Sequence, residues 1–330
     1  MRAVIDLDFI KYQAASAGEK RTIKAIHKTK GDEIDCKTRT ELYGNWRKKD
    51  GGILAELNKN GADYKPEDFE IVDIQTPEPL QNVLHTAKMM FQAALRFSHA
   101  DSYSAHLGQG DSFRVEKSTI LKYKGNRDTL LKPLLLDEVS DYLVKKFSPD
   151  IVTGIEADDA IVIDAYRDKE KVVIGVDKDY RGCDVLLLNP NKPDEGVLDC
   201  SGFGKLWINP KGDVTGVGRV FLYFQVLSKD VSDNYAANSA SDIAWAEKSA
   251  YKVLHSCRND TEALRALVEA YRYLYPEPKV ITGWRGNQFE IDWLYVAREN
   301  FDMARMLRWH GDSVDLKDVL LSMGLLDEQR

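Results

Sequence analysis

A run of residues that is apolar at almost every position lies near the middle of the chain, directly after a helical pattern. Residues 171–176 read KVVIGV, and residues 156–169 read EADDAIVIDAYRDK, whose apolar residues recur at helical spacing. Buried strands that alternate with helices are typical of a parallel sheet with helices packed on it. Further strand patterns occur at residues 3–5, 102–108 and 185–189. The sequence therefore predicts an α/β fold with a mainly parallel central sheet and flanking helices.

The residue pattern changes along the chain and indicates two domains. Helical spacing dominates after about residue 215, although GDVTGVGR at residues 212–219 is interpreted as a loop. Between about residues 20 and 75, partial alternation and several glycines are typical of a polar hairpin. We therefore predict an α/β domain over residues 1–210, with an insertion at about 20–75, and a helical region over residues 211–330.

Charge is distributed unevenly. The formal net charge is −7, which taken alone argues against a general nucleic-acid-binding protein, because phosphates attract Lys and Arg. Residues 20–60 nevertheless hold eleven Lys/Arg and six Asp/Glu, and residues 113–127 hold five Lys/Arg and one Glu. Residues 151–185 hold nine acidic and five basic residues. Basic segments thus flank an acidic centre, and the basic insertion could hold duplex DNA, bind a partner protein or simply decorate the fold.

The cellular setting is predicted from what the sequence lacks. The four cysteines form no C-x-x-C pair, so free thiols in a reducing compartment are expected. The N-terminal MRAVIDLDFI carries acids where a signal peptide needs an apolar run, and no apolar stretch reaches membrane-spanning length. We expect a cytoplasmic protein that makes no membrane contact.

Acidic residues lie where the predicted strands end. Asp6 ends the first strand, Asp111 follows the strand at 102–108, and Asp177 and Asp179 follow KVVIGV. The carboxyl ends of parallel strands meet at one edge of a sheet, which is where α/β proteins bind ligands. The start of the following helix pattern adds a further group, Glu156, Asp158 and Asp159. The sequence therefore predicts one acidic cluster at this edge.

A second acidic pair comes later, in LSKDVSDNY at residues 227–235. Asp230 and Asp233 are three residues apart, which is typical of a helix cap or a solvated helix end. Alternatively, the pair forms the far wall of the acidic cluster, contributed by the helical region.

A cluster of this many carboxylates favours bound divalent cations, because unpaired carboxylates would repel one another. Oxygen ligands without His or Cys favour Mg²⁺ or Mn²⁺, and two such ions about 4 Å apart can support phosphodiester hydrolysis. Taken singly, EADD is typical of helix capping and DKD of a loop, and a metal site without catalysis is also compatible with the pattern. The predicted metal ligands are Asp6, Asp111, Glu156, Asp158, Asp159, Asp177, Asp179, Asp230 and Asp233.

A basic segment, FRVEKSTILKYKGNRD at residues 113–128, follows Asp111 directly. Lys122, Lys124 and Arg127 surround a turn at Gly125, where a solvated turn is the simpler interpretation. Beside an acidic metal centre, these cations could instead bind substrate phosphates. Arg114 could reach the scissile phosphate for the same reason.

The motifs together resemble the 5′ nuclease family, which contains flap endonucleases and phage 5′→3′ exonucleases. The residues that carry the resemblance are IDLD, GDSFR leading to LKYKGNRD, GIEADD, VIGVDKDY and SKDVSDN, in this order over residues 1–17 and about 105–235. The tail segment FDMARMLRWHGDSVDLKDV also resembles the C-terminus of the gene-6-type exonuclease of short-tailed phages. The resemblance implies a 5′-nuclease or PIN-like fold with a two-metal carboxylate site.

The resemblance also implies roles for individual residues. The nine acidic residues named above match the family's metal ligands, with Asp159 matching a third acid found in phage members. Lys124 and Arg127 match basic residues that touch the scissile phosphate at the base of a helical arch. Tyr12 matches an aromatic residue on which a terminal base stacks, whereas ordinary core packing is the alternative for this side chain.

The chain departs from the family pattern at several positions. Leu7 stands where the family often has Gly, and Asp8 is an additional acid that could support the metal ligands. Ser228 replaces a Gly-type neighbour, and the segment after Asp233 lacks the Gly-rich turn that binds duplex backbone through a monovalent cation.

The expected function is divalent-metal-dependent 5′→3′ exodeoxyribonuclease activity with flap-cleaving potential, in phage-type DNA replication or degradation. The expected substrate is DNA with 5′ ends, nicks or flaps, cleaved by a monomer with two bound Mg²⁺ or Mn²⁺ ions, in the host cytoplasm if the chain is phage-encoded. The alternatives are a PIN-like endoribonuclease of the toxin type and a non-catalytic protein that binds branched DNA.

Overall fold

The structure is a computed structural model that describes residues 1–45, 51–168 and 170–327. Short 3₁₀ helices cover Pro66–Asp68, Gly125–Arg127, Asp179–Gly182 and Pro193–Glu195. The α-helices are α1 Leu7–Ala17, α2 Arg39–Tyr43, α3 Gly52–Lys59, α4 Leu80–Ser98, α5 Phe113–Lys117, α6 Leu136–Phe147, α7 Ala157–Tyr166, α8 Arg219–Leu227, α9 Glu247–Leu254, α10 Asp260–Leu274, α11 Trp293–Ala304 and α12 Leu316–Ser322.

The strands form one larger sheet and several small ones. They are β1 Arg2–Asp6, β2 Glu19–His27, β3 Glu33–Cys36, β4 Phe69–Pro77, β5 Ser102–Ser112, β6 Asp150–Gly154, β7 Lys171–Ile174, β8 Leu186–Leu188, β9 Val197–Asp199, β10 Lys205–Ile208, β11 Val214–Val217, β12 Lys229–Asp230, β13 Tyr235–Ala236, β14 Lys279–Thr282 and β15 Gln288–Ile291.

The chain divides into two compact units. The first unit comprises Met1–Ile10, Phe91–Leu131 and Val144–Arg330, and the second comprises Lys11–Met90 and Lys132–Leu143. The first unit therefore includes residues on both sides of position 210, where the sequence predicts a domain boundary. That boundary stays a prediction.

The first unit contains a six-stranded sheet with strand order β6-β5-β1-β7-β8-β9. Neighbouring strands are parallel except for β8 and β9. The central strands β1 and β7 are almost fully buried, as the apolar runs predict, and α7 packs against β1, β5 and β7. The predicted α/β fold with a mainly parallel sheet and flanking helices is confirmed.

The C-terminal part of the first unit has a mainly helical core. Every residue of α8 from Val220 to Leu227 is buried, and it packs against α9, α10 and α11. Two antiparallel hairpins, β10–β11 and β14–β15, add to this helical pattern. The interpretation of residues 212–219 as a loop was wrong for Val214–Val217, which form β11. Strands of four residues are too short to show a clear alternation, so the sequence pattern did not predict these hairpins.

The second unit is built on an antiparallel sheet with strand order β3-β2-β4. Its small core contains Ile23, Ala25, Leu42, Leu54 and Phe69. The hairpin β2–β3 agrees with the polar hairpin predicted near residue 20. Part of the basic insertion, residues 46–50, lies outside the described residues.

All four cysteines are free, as expected. In the described ranges, each helix is too short or too polar to traverse a bilayer.

Asp164 on α7 links the helix to two strands of the sheet. Its carboxylate accepts hydrogen bonds from Ser104 Oγ at 2.5 Å and Lys171 Nζ at 3.0 Å, and it lies 3.4 Å from His106 Nε2. The contact with His106, followed by those with Ser104 and Lys171, lowers the pKa of Asp164 although partial burial opposes this. The ionised carboxylate therefore stabilises the packing of α7 on the sheet.

We expect the stabilisation supplied by Asp164 to be lost in acid. The folded-state pKa lies below the unfolded value of about 3.9, so the contribution is complete above that value and disappears as pH falls through the folded pKa. The melting temperature of Asp164→Asn should be lower than that of the wild type at neutral pH, and the difference should shrink below about pH 4. A difference that stays constant from neutral pH down to about pH 3 would contradict this account.

Candidate active site

A cavity lies where the ends of the central strands meet the start of α7. Asp177 and Asp179 follow β7, and Glu156 and Asp158 lie at the first turn of α7. Its lining combines acidic, basic and apolar side chains, contributed by Arg114, Tyr123, Lys124, Glu156, Asp158, Asp177, Asp179, Asp233, Met303, Ala304 and Met306. The cavity thus brings together residues that are far apart in sequence. They include the acidic residues of GIEADD and VIGVDKDY and the end of α11.

Burial and mutual repulsion raise the pKa of several carboxyl groups. Asp158 and Asp179 line the cavity, and the buried Asp6 lies outside the lining in the described ranges. Burial, followed by the charges of Asp8 and Asp177, raises the pKa of Asp6 to about 8. Burial, followed by Asp6 and Asp177, raises the pKa of Asp158 well above its usual range. Burial and the charge of Asp177 do the same to the pKa of Asp179. These carboxylates are therefore costly as anions unless a cation compensates them.

Glu156 differs from its acidic neighbours because cations surround it. Its carboxylate accepts hydrogen bonds from Arg114 Nη1 at 3.1 Å, from the Tyr123 hydroxyl at 2.8 Å and from Lys124 Nζ. Burial opposes ionisation of Glu156, but the charges of Arg114 and Lys124 outweigh it and lower its pKa. Glu156 is thus held as an anion at the wall of the cavity.

Arg114 and Asp159 form a buried ion pair behind this wall. Nη1 and Nη2 of Arg114 donate to the two Asp159 oxygens at 2.6 and 2.9 Å, and the backbone N–H of Leu307 donates to Oδ1 at 2.9 Å. Arg114 also donates to the carbonyls of Met303 and Arg305, at 3.2 and 2.8 Å. The pair therefore joins the start of α7 to the chain segment at the end of α11.

Two predicted motifs, the basic turn at residues 122–127 and the loop at residues 231–234, are joined by hydrogen bonds. The bonds run from Lys124 N to Asp233 O at 3.0 Å, from Asn234 Nδ2 to Lys122 O at 2.9 Å, from Arg127 Nε to Ser232 O at 3.1 Å, and from Asn126 Nδ2 to Val231 O. Lys124 has a φ of 55°, a left-handed conformation that costs roughly 1–2 kcal/mol for most residues. These four hydrogen bonds form a clasp that holds the backbone of the basic turn. The Lys124 ammonium lies beside Glu156.

Of the second acidic pair, Asp233 lines the cavity, whereas Asp230 lies outside the lining in the part of the chain that the structure describes. Asp230 Oδ2 is 2.7 Å from Lys178 Nζ, and its Oδ1 accepts from the backbone N–H groups of Ser232 and Asp233 at 2.7 and 3.0 Å. Burial opposes ionisation of Asp230, but Lys178 outweighs it and lowers its pKa. Asp230 ends β12 and residues 231–234 form a turn, so these contacts stabilise the turn, and the helix-cap or helix-end alternative was wrong. Burial raises the pKa of Asp233 to about 6, against the attraction of Lys124.

Two predicted site residues, Asp111 and Lys122, lie outside the cavity lining in the described ranges, and a third, Tyr12, belongs to the second unit. β5 continues to Ser112, so Asp111 lies within the strand and is exposed instead of following the strand's end. Lys122 pairs with Asp128, 2.5 Å away, and lies outside the cavity lining in the described chain. Tyr12 belongs to the second unit and is 46% exposed, which excludes the core-packing alternative. The roles predicted for these three residues stay predictions.

Several residues at the site were not singled out from the sequence. The Tyr180 hydroxyl donates to Asp158 Oδ1, and Gln225 Nε2 donates to Asp179 Oδ1. Asp8, by contrast, was noted in the sequence as a possible support for the metal ligands. Its carboxylate accepts a hydrogen bond from the backbone N–H of Gly108 at 3.1 Å. The tyrosines of LKYKGNRD and VIGVDKDY stand inside the quoted motifs, which is a signal that the sequence did contain. Gln225 belongs to none of the quoted motifs. It occurs in α8, a helix of mainly apolar residues.

The chemistry of the cavity suits a hard divalent cation, since its donors are carboxylate oxygens without His or Cys. Across the described ranges, no three acidic, His or Cys side chains already surround a point where a metal ion could sit. Lys124, Lys178, Tyr180 and Gln225 contact carboxylate oxygens instead. A bound cation would repel the ammonium groups of Lys124 and Lys178, so these two side chains would have to move.

Comparison with known proteins finds similarity among solved structures and none among sequences. No protein-family model matches the chain, and no curated protein sequence matches it. Among solved structures, the D15 protein of phage T5, co-crystallised with metal ions, is similar with a TM-score of 0.40 and 13% sequence identity, over 81% of this chain and 78% of that chain. A similarity of this size does not assign the chain to a family.

Proposed function

We propose that this chain is a divalent-metal-dependent 5′→3′ exodeoxyribonuclease that can also cleave flaps. The observation that carries the proposal is the cavity itself. It gathers Asp158, Asp177 and Asp179 from the strand ends and the start of α7, and it places Lys124 in the same wall. Phosphodiester hydrolysis by this mechanism uses carboxylates that bind metal ions and a positively charged side chain that binds the phosphate. The cavity contains both.

Divalent cations bound to these carboxylates would supply an activated water and stabilise the departing 3′ oxygen. We propose Asp6, Glu156, Asp158, Asp177, Asp179 and Asp233 as the residues nearest to such cations, with Asp111, Asp159 and Asp230 as further ligands. Asp159 would have to leave Arg114, which binds both of its oxygens, to serve as a ligand. The raised pKa values of Asp6, Asp158 and Asp179 support this assignment, because a bound cation would relieve the repulsion that raises them.

We propose that Lys124 and Arg127 of the basic turn bind the phosphates of the substrate. Lys124 is held beside Glu156 by the clasp between the two loops, and Arg127 is half exposed with one nitrogen 3.3 Å from Asp233. Both would neutralise phosphate charge that increases in the transition state. The Lys124 ammonium contacts Glu156, so it would exchange this carboxylate for an arriving phosphate.

The DNA substrate and the 5′ polarity are supported by the order of the sequence motifs. The basic turn and the SKDVSDN loop, which the family resemblance pairs in one site, are hydrogen-bonded to each other. We further propose that residues 211–330 complete the site through Asp230 and Asp233. Tyr12, Lys122 and the basic insertion at about 20–75 are proposed to bind DNA, and the active form is proposed to be a monomer.

The decisive test uses a nicked DNA duplex with internal labels, incubated with the protein in Mg²⁺ or Mn²⁺. We expect mononucleotides and short oligonucleotides to be released from 5′ ends, and chelator to abolish the release. Product lengths and a duplex blocked at its 5′ ends report polarity. Intact DNA with both metals would overturn the proposal. A matched single-stranded RNA then separates the alternatives, because RNA cleavage alone would indicate an endoribonuclease, and tight DNA binding without cleavage would indicate a binding protein.

A further inference from the structure

Tyr180 lies directly after Asp179 and is fully buried beneath the cavity. Its ring packs in a core that includes Val4, Ile161 and Val173, so the side chain has no access to solvent. Its hydroxyl donates a hydrogen bond to Asp158 Oδ1. The Tyr180 hydroxyl thus extends from this core and contacts the Asp158 carboxylate, which lines the cavity.

The place of the Tyr180 ring depends on a bare backbone at Gly175. A Cβ atom added to Gly175 would lie 2.5 Å from Cε2 and 3.1 Å from Cδ2 of Tyr180. The first distance is shorter than real Cβ contacts allow, and the ring is enclosed by core residues that leave it little room to move. Gly175 therefore determines where the tyrosine hydroxyl is held.

The Tyr180 hydroxyl is the donor in its hydrogen bond to Asp158 Oδ1, so it contributes a proton and no charge to this contact. A neutral donor on Oδ1 restricts the rotation of the Asp158 carboxylate and adds no charge to the cavity. Groups that orient metal ligands in this way typically change metal affinity by 10–100-fold when removed.

We infer that Tyr180, seated against Gly175, is a positioning residue that orients Asp158 for divalent-cation binding. The inference rests on the proposed metal-dependent function. It assigns Tyr180 no contact with substrate or with the cation.

The test is calorimetric titration of Mn²⁺ into the full chain and into Tyr180→Phe, without DNA. We expect the variant to bind Mn²⁺ about 10–100-fold more weakly. Tyr223→Phe is the matched control, because the Tyr223 hydroxyl donates to the Asp260 carboxylate at 2.8 Å away from the cavity lining. The control should bind Mn²⁺ as the wild type does.

The outcomes separate the inference from the proposed function. Mn²⁺ binding by the wild type with equal affinity in Tyr180→Phe would overturn the positioning role alone. Failure of the wild type to bind Mn²⁺ would overturn the proposed metal dependence and with it the inference.

A second variant tests the same contact from the side of Gly175. Gly175→Ala should also weaken Mn²⁺ binding, because it displaces the ring that holds Asp158. In the Tyr180→Phe background the same substitution should change Mn²⁺ affinity little, since no hydroxyl contact remains to be lost. Additive effects of the two substitutions on Mn²⁺ affinity would contradict the link between Gly175 and Asp158.

Discussion

Replacing Asp177 by asparagine is expected to abolish metal-dependent cleavage and to raise the stability of the metal-free protein. Asp177 lines the cavity, and its charge raises the pKa of Asp6, Asp158 and Asp179. Loss of a proposed ligand should lower activity by more than the ~100-fold seen for supporting residues. Loss of a buried negative charge should relieve repulsion among the remaining carboxylates.

The two effects of Asp177→Asn are measured separately. Cleavage of the nicked duplex reports activity, and thermal unfolding in chelator reports stability, where each 1 kcal/mol corresponds to about 2–4 °C for a large domain. The exposed Asp194 provides the matched control, and Asp194→Asn should change neither quantity. Opposite signs for activity and stability are typical of sites selected for function.

Two results would contradict the role assigned to Asp177. An Asp177→Asn protein that keeps wild-type cleavage rates would remove Asp177 from the proposed ligands. A variant that is inactive but also less stable than Asp194→Asn in chelator would indicate that Asp177 supports the fold instead.

Replacing Arg114 by methionine is expected to cause a large loss of folding stability. Arg114 is 2% exposed and its partner Asp159 is 0% exposed, so the substitution leaves a buried carboxylate without its cation. Breaking a buried ion pair by removing one partner typically costs about 3–5 kcal/mol. Two backbone carbonyls, those of Met303 and Arg305, would lose their donor as well.

Urea unfolding of matched variants measures this loss. Arg298→Met is the control, because Arg298 forms an ion pair with Asp315 but its side chain is 45% exposed, where such pairs contribute at most about 1 kcal/mol. An equal shift of the unfolding midpoint in Arg114→Met and Arg298→Met would contradict the assigned role of the buried pair.

Arg114→Lys addresses the predicted phosphate contact of Arg114. Each guanidinium nitrogen contacts a protein acceptor, namely Met303 O for Nε, Glu156 and Asp159 for Nη1, and Asp159 and Arg305 O for Nη2. Lysine retains the charge but cannot make this set of hydrogen bonds. A folded Arg114→Lys protein that binds nicked DNA normally would place the residue behind the site, whereas weakened DNA binding would support phosphate contact.

Most of the α/β unit could be predicted because the signals are local. The apolar run at β7 and the helical spacing of α7 depend only on neighbouring residues, and both elements formed where the sequence placed them. The hairpins β10–β11 and β14–β15 could not be predicted in the same way. Their strands are short, and Gly283 of the second hairpin would bring a Cβ within 2.5 Å of Thr119 O, a contact set by tertiary packing.

The sequence by itself determined that Asp6, Asp177 and Asp179 follow strand patterns and that Glu156, Asp158 and Asp159 stand at the start of a helix pattern, because each pattern depends only on neighbouring residues. Only the tertiary structure decided which of these acids share the cavity and which cation each one meets. Asp111 is exposed because β5 extends past it, and Arg114 is committed to Asp159 because both are enclosed by the end of α11. Burial and strand length, which arise from packing between distant segments, set these differences among otherwise similar carboxylates.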